Sequence, residues 1–256
     1  MPLTLVTIPC LADNYTYLVH DEASGDTAVF DVPEAGPILS ELKRRDWRLS
    51  HVFLTHHHDD HIQGTAALLS EAPALVIGAR ADAHRLPPLD TEVREGDSID
   101  FGGETVEVLE VPGHTTGHVA YHLPRSGILV TMDSLMHLGC GRLFEGTPEM
   151  MFASLQKMAA LPPQTVVCSG HEYAETNIRF ARTIDPENSD LISRQNEIAV
   201  ARSAGRPTVP TTLAQELATN PFLRCHDPQV QAQVGMAGAD PVDVFTEIRK
   251  RRDGFR

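Results

Sequence analysis

The stretch "LTHHHDDHIQG", residues 54–64, holds four histidines and two aspartates in six consecutive positions. Runs of ionisable groups are usually solvated loops. This run instead follows the apolar, β-branched stretch "HVFL" and precedes the helix-like "IQGTAALLSE". Imidazole and carboxylate groups at the end of a buried strand are well placed to bind metal. The run therefore predicts a fold in which a strand and a helix meet at a metal site.

The overall composition excludes several classes of protein. The net charge of −14 argues against a nucleic-acid-binding protein, because phosphate binding needs a broad basic surface. No apolar run approaches the roughly 18 residues of a membrane helix, and the start "MPLTLVTIPC" lacks a signal-peptide pattern. Four cysteines without a CxxC pair predict free, buried thiols. We therefore expect a cytoplasmic protein, by default a monomer, that binds neither nucleic acid nor membrane.

Hydrophobic patterning divides the chain into a mixed α/β part and a helical tail. Period-two alternation predicts strands near residues 3–8, 15–20, 27–31, 51–55, 74–78, 104–111, 118–123, 127–132 and 165–169. Period-3.6 patterns predict helices at 37–46, 62–70, 148–161, 174–204, 212–220, 228–237 and 241–252. The β pattern stops after Tyr173, so we predict one domain over residues 1–172 and a helical one over 173–256.

Three further ligand-type residues each follow a predicted strand. His114 comes after "ETVEVLEVPG", Asp133 after "GILVTM" and His171 after "TVVCSG". Loops at the carboxyl ends of strands converge on one edge of an α/β sheet, where binding sites collect. Taken alone, each residue has an ordinary explanation: a hydrogen-bonded loop histidine, a helix N-cap and a surface imidazole. Their common position at strand ends favours a shared site.

Spacing within the run separates candidate ligands from their neighbours. Alternate side chains at the close of a strand point the same way, so His56 and His58 can share one site. Asp60 and His61 begin the next turn and can serve a neighbouring site, while His57 faces elsewhere. With the three later residues, the set comprises five histidines and two aspartates, the right number for two metal ions.

Seven segments of the chain carry a resemblance to a known family. They are "LADNYTYLV", "THHHDDH", "PGHTTGH", "GCGRLFEG", "GHEYAETN", "ATNPFLR" and "RKRRDGF". The set resembles the hydroxyacylglutathione hydrolases (glyoxalase II) of the metallo-β-lactamase superfamily, whose HxHxDH signature stands here at residues 56–61. The resemblance spans nearly the whole chain. It implies an α/β fold, a four-layer αβ/βα sandwich, with a C-terminal all-helical domain that supplies substrate contacts.

The same resemblance implies the metal chemistry. One divalent ion would be held by His56, His58 and His114, a second by Asp60, His61 and His171, and Asp133 would bridge both. Zinc is the expected metal, with iron or manganese as alternatives, because imidazole and carboxylate ligands suit all three. A bridging hydroxide, and no side-chain nucleophile, would attack the thioester of S-(R)-lactoylglutathione.

Substrate binding is implied at the C-terminus, where cations outnumber acids. Arg249 and Arg252 are three residues apart, share one helix face and match the family's glutathione-binding cations. The remaining implied contacts are Arg142, Phe144 and Tyr173. Lys250 and Arg251 are better explained as solvated residues, and Arg256 completes the cluster.

Four positions depart from the family pattern. Arg142 and Arg252 stand where lysine is common, Phe144 where tyrosine is common, and Gln63 where glycine is common. These changes bear on affinity and not on the metal ligands. The main alternative function is a glutathione persulfide dioxygenase with a single iron, and lactone hydrolysis, nuclease activity or a non-catalytic binding domain are weaker alternatives.

Overall fold

Two units make up the computed structural model, which describes residues 3–255. The first contains the chain up to Val111 together with Thr116–Met132, and the second contains Pro112–Thr115 and the chain from Asp133 onward. The predicted boundary between residues 172 and 173 falls inside the second unit, and that division remains a prediction. Arg256 lies outside the described residues.

A six-stranded mixed sheet begins the first unit. Its strands follow one another in chain order: β1 (Thr4–Cys10), β2 (Asn14–His20), β3 (Asp26–Phe30), β4 (Arg48–Leu54), β5 (Leu75–Ala79) and β6 (Thr91–Val93). The first three pair antiparallel, and β3 to β6 pair parallel. The helices of this part are α1 (Ala35–Arg45), α2 (Asp59–Ile62) and α3 (Thr65–Glu71). Ile38, Leu42 and Leu68 of α1 and α3 are buried in the same cluster as strand residues of the sheet.

Four antiparallel strands complete the first unit. They are β7 (Ser98–Phe101), β8 (Glu104–Glu110), β9 (Val119–Leu123) and β10 (Ile128–Met132). Aromatic rings join them to the first sheet, since Tyr121 of β9 lies 5.0 Å from Phe53 of β4 between ring centroids. The Tyr121 hydroxyl also donates to the Leu54 carbonyl at 2.9 Å. This packing fixes the end of β4. The histidine- and aspartate-rich segment 56–61, called the ligand run, begins just after it.

The second unit is mainly helical. A short hairpin pairs β11 (Leu135–Met136) with β12 (Gly139–Cys140), and β13 (Val166–Ser169) pairs with β14 (Thr211–Thr212). The helices are α4 (Pro148–Ala159), α5 (Ala174–Ile184), α6 (Ser189–Ser203), α7 (Leu213–Thr219), α8 (Pro228–Gln233) and α9 (Pro241–Gly254). The predicted α/β class with a helical C-terminal region is confirmed.

Several details differ from the prediction. The helix predicted over 174–204 is two helices, because Pro186 interrupts the pattern and Asn188 caps α6 by accepting from the amides of Asp190 and Leu191. The short strands β6, β7, β11, β12 and β14 were not predicted, since two to four residues carry too little periodicity. A helix with the length and apolarity to cross a membrane does not occur among residues 3–255.

Candidate metal centre

The ligand run begins where β4 ends, at the carboxyl edge of the parallel part of the sheet. Leu54 closes the strand, and α2 starts at Asp59. His56 and His61 are fully buried, and their ring centroids lie 4.2 Å apart, while His58 lies 4.8 Å from His56. The three histidines that the spacing predicted as ligands thus lie together within the first unit.

Asp31 organises this run, although it was not predicted as a site residue. It follows β3, and its buried carboxylate accepts hydrogen bonds from the Thr55 amide and hydroxyl, each at 2.7 Å. His61 Nδ1 lies 2.8 Å from the same carboxylate. Burial raises the pKa of Asp31, and the bonds from His61 and Thr55 oppose that rise. With Nδ1 of His61 held by a carboxylate, Nε2 is the nitrogen that faces Asp60, 3.7 Å from its Oδ2.

The position of Asp31 is itself conformationally demanding. Its φ is +60°, a left-handed conformation that residues with a side chain rarely adopt and that Asp and Asn tolerate best. The parallel register aligns Phe30 with Phe53, so the residues after these two strands meet. The available sequence signal was the one used for Asp133, an aspartate directly after a strand.

His57 contacts the ring of His58, with centroids 5.0 Å apart, and is anchored by a carboxylate from another part of the first unit. Its Nδ1 lies 3.1 Å from Oδ2 of the buried Asp82, which also pairs with Arg85. Gly117 packs so closely on this carboxylate that a Cβ there would lie 2.2 Å from it. Asp82 therefore links the ligand run to the end of the "PGHTTGH" segment, because it contacts His57 of the run and Gly117 of the segment.

Three ligand-type side chains meet in the second unit. Oδ2 of Asp133 lies 3.5 Å from Nε2 of His114 and 3.3 Å from Nε2 of His171, and all three residues are buried. Nδ1 of His114 lies 2.8 Å from the Arg142 carbonyl, so Nε2 is the ring nitrogen that faces Asp133. Gly141 permits this approach, because a Cβ there would lie 2.0 Å from the Asp133 carbonyl oxygen.

The donor atoms in both units fit a divalent metal such as zinc, iron or manganese. In the first unit, the rings of His58 and His61 lie 4.8 and 4.2 Å from the ring of His56 between centroids. In the second, a carboxylate oxygen lies between two imidazole nitrogens at the distances given above. Such mixed nitrogen and oxygen sets are typical of these metals.

A cavity of about 440 Å³ in the second unit opens onto this carboxylate and is called the arginine pocket below. Its wall contains His114, Asp133, Met136, Gly139, Cys140, Arg142, Phe144, Tyr173, Thr176, Asn177, Phe222, Arg249 and Arg252. All five residues predicted to bind substrate therefore line one cavity with two of the predicted metal ligands. Neither Lys250 nor Arg251 is in the wall, and Arg251 pairs with Glu247 at 2.7 Å.

The three arginines of the pocket are held in different ways. Arg249 is buried, donates to the Cys140 carbonyl at 3.1 Å and pairs with Asp253 at 2.7 Å. Arg252 donates to Asn177, and the Arg142 side chain is 61% exposed. Burial lowers the pKa of Arg252, and the cations Arg249 and Arg142 lower it further, while Asp253 opposes them. The pocket is therefore a cationic concave surface in an acidic protein.

Comparison with known proteins agrees with this geometry. The family model for the metallo-β-lactamase superfamily matches residues 14–171, and the model for the hydroxyacylglutathione hydrolase C-terminus matches residues 172–255. A relative from Ruegeria pomeroyi named hydroxyacylglutathione hydrolase is 61% identical over 100% of both chains. The chain belongs to the hydroxyacylglutathione hydrolase family.

Two solved structures resemble this chain in fold. The BLEG-1 B3 metallo-β-lactamase is similar with a TM-score of 0.67 at 23% identity, over 86% of this chain and 99% of that one. ETHE1 from Myxococcus xanthus is similar with a TM-score of 0.66 at 26% identity, over 98% of this chain and 90% of that one. The predicted metallo-β-lactamase fold, and the prediction of a hydrolase of this superfamily, are confirmed.

The cysteines of this hydroxyacylglutathione hydrolase family member give no sign of a nucleophile. All four are buried, and none forms a disulfide within residues 3–255. Burial raises the pKa of the Cys140 thiol, which lies in the pocket wall, and raises that of Cys10 to about 12. Thiols that stay protonated are poor nucleophiles. Packing, as predicted, accounts for them.

Proposed function

We propose that the protein hydrolyses S-(R)-lactoylglutathione and related glutathione thioesters to D-lactate and glutathione, a step of methylglyoxal detoxification. The observation that carries this proposal is the arginine pocket, in which three arginines share a cavity with His114 and Asp133. An anionic tripeptide thioester bound there would have its carboxylate end near the cations and its acyl end near the candidate metal ligands. The 61% identity to a relative named hydroxyacylglutathione hydrolase supports the same substrate class.

The pocket residues would divide the recognition of glutathione. Arg142, Arg249 and Arg252 would bind the glycine carboxylate, since guanidinium groups form paired hydrogen bonds with carboxylates. The Tyr173 ring stacks on His171 with centroids 4.8 Å apart. Its hydroxyl would donate to the peptide backbone of the substrate. Phe144, which is 61% exposed, would contribute an apolar surface without a hydroxyl contact.

Two divalent ions, most simply zinc with iron or manganese as alternatives, would be held by the seven residues named in the sequence analysis. His56, His58 and His114 would hold one ion, Asp60, His61 and His171 the other, and Asp133 both. When bound, such a pair supplies Lewis-acid polarisation of the thioester carbonyl and a hydroxide nucleophile at neutral pH.

The chain's own side chains would act around this chemistry by orientation. Asp31 and the Arg142 carbonyl hold the Nδ1 atoms of His61 and His114 and so fix both rings. The arginines hold the substrate so that its carbonyl faces Asp133. Neither a side-chain nucleophile nor a side-chain general base is needed.

Hydrolysis of lactoylglutathione with and without a chelator tests the proposal. The expected result is chelator-sensitive loss of the thioester with release of D-lactate and glutathione, and about two metal ions per chain in the same sample. A single iron per chain, with oxygen consumed on glutathione persulfide, would instead establish the persulfide dioxygenase. Failure to hydrolyse any glutathione thioester would contradict the proposal.

We also propose residues 1–172 as the catalytic domain and residues 173–256 as the substrate-binding domain. The two family models divide the chain at nearly the same place, at 14–171 and 172–255. A cytoplasmic location is proposed because free, buried thiols are typical of reducing compartments. Cell fractionation and light scattering of the purified protein test the location and the proposed monomeric state.

A further inference from the structure

We propose that Asn177 is a positioning residue that aims Arg252 into the arginine pocket while leaving the positive charge of Arg252 available to the substrate. The inference rests on the proposed function, because it concerns the affinity for the carboxylate end of a glutathione thioester. Asn177 is the last residue of the segment "GHEYAETN", which also contains His171 and Tyr173.

The Asn177 side chain is held from both sides. It lies on α5, is 5% exposed and lines the pocket. Its Nδ2 donates to the His137 carbonyl at 2.9 Å, and its Oδ1 accepts from Nε and Nη2 of Arg252 at 3.3 and 3.1 Å. The carbonyl on one side and the guanidinium on the other allow only one orientation of the amide. Asn177 therefore presents a fixed acceptor to Arg252.

The neutrality of this acceptor matters because of the other cations nearby. Arg249 has a carboxylate partner, Asp253, at 2.7 Å, which cancels much of its charge. Arg252 instead forms its side-chain hydrogen bonds with an amide oxygen, while Arg249 and Arg142 repel its charge and Asp253 attracts it. An amide holds a guanidinium in place by hydrogen bonding without cancelling its charge. The bound substrate carboxylate then meets an Arg252 that keeps its full charge.

The hairpin of β11 and β12 does not depend on Asn177 alone. Glu216 accepts from the Leu138 amide at 2.8 Å, and Asn220 donates to the carbonyls of Met136 and Gly139 at 3.2 and 2.9 Å. These bonds remain when Asn177 is replaced, so we expect the variants to fold. Thermal unfolding of each variant checks this before kinetics are compared.

Two substitutions separate positioning from charge. Asn177→Ala removes the acceptor, and we expect KM for lactoylglutathione to rise about 10-fold or more with kcat within about two-fold. Asn177→Asp keeps an acceptor but supplies a negative charge, so KM should also rise and should depend less on ionic strength than in the wild type. Asn196→Asp, an identical change at an exposed position of α6, is the matched control and should leave KM unchanged.

A double-mutant cycle with Arg252→Ala decides whether Asn177 acts through Arg252. If it does, Asn177→Ala adds little to KM in the Arg252→Ala background. If the two residues act independently, the fold-increases in KM of the two substitutions multiply. A full effect of Asn177→Ala in that background, or an unchanged KM in both Asn177 variants, would overturn the inference.

Direct binding of glutathione, measured by calorimetry, distinguishes failure of this inference from failure of the proposed function. If the wild type binds glutathione but does not hydrolyse its thioesters, the function is wrong, and the same cycle run on Kd still tests Asn177. Absence of glutathione binding by the wild type would overturn both.

Discussion

The ligand run of the first unit and the arginine pocket of the second differ in the partners that hold their polar side chains. In the run, buried carboxylates fix the rings, with Asp31 on His61 and Asp82 on His57. In the pocket, Arg252 bonds to a neutral amide, and Arg249 and Arg142 share one carboxylate, Asp253, at 2.7 and 3.9 Å. Metal binding needs imidazole rings held in one orientation, whereas anion binding needs cations whose charge is not neutralised by neighbouring carboxylates. We therefore expect changes in the run to act on metal content and kcat, and changes in the pocket to act on KM.

Asp133 gives the largest expected effect, because it lies in the pocket wall and is the residue proposed to bridge both metal ions. Asp133→Ala removes the carboxylate between His114 and His171 and should lower kcat by about 10³-fold or more, with loss of metal. Steady-state kinetics and metal analysis of the same sample measure this. An unchanged kcat would show that Asp133 belongs with the recognition residues.

Asp31 tests whether the carboxylates behind the rings matter. Asp31→Asn keeps the shape and tolerates φ of +60°, but it weakens the bond to His61, so we expect metal affinity to fall about 10- to 100-fold. Competition with a chromogenic chelator measures the affinity. Asp21→Asn is the control, since that buried carboxylate accepts from the Ser24 amide and has no contact with a histidine of the run. Equal losses in both variants would contradict an orienting role.

Arg249 tests the pocket side of the comparison. Arg249→Ala removes a cation from the pocket wall and should raise KM for lactoylglutathione about 10- to 100-fold with little change in kcat. Arg251→Ala, two positions along α9 and outside the wall, should leave KM unchanged. If Arg249→Ala lowers kcat at constant KM, the assignment of recognition to this pocket is wrong.

His137 should have the smallest effect on catalysis, because it is buried in the second unit and is not part of the arginine-pocket wall. Burial and Arg194 lower its pKa to about 4, below the ordinary 6.5. Above pH 6.5 both folded and unfolded states are neutral at this residue. As the pH falls towards 4 the unfolded state binds the proton first, so up to roughly 3 kcal/mol of stability is lost.

Urea unfolding of His137→Asn at pH 7.5 and pH 5 checks this prediction. The variant should lose less stability than the wild type between the two values, because the titrating group is gone while an amide can still donate to Thr208. An identical loss in both proteins would show that His137 does not titrate as described.

Most of the fold and the candidate ligands were accessible from local sequence patterns. The run at residues 56–61 carries its chemistry in six adjacent letters, and Asp133 follows a strand with clear alternation. The roles of Asp31, Asp82 and Asn177 could not be read in this way, since each depends on partners far along the chain. The break between α5 and α6 was visible in "DPENS" but was outweighed by the helical pattern on either side.

By itself, the sequence determined which side chains can bind metal and which can bind an anion, because that chemistry resides in residue type and spacing. Only the tertiary structure decided which nitrogen of each histidine ring is hydrogen-bonded to the protein, and which arginines have a carboxylate partner. The physical reason is that these properties depend on hydrogen-bond partners brought together by folding: Asp31 lies 30 residues from His61, and the Arg142 carbonyl lies 28 residues from His114.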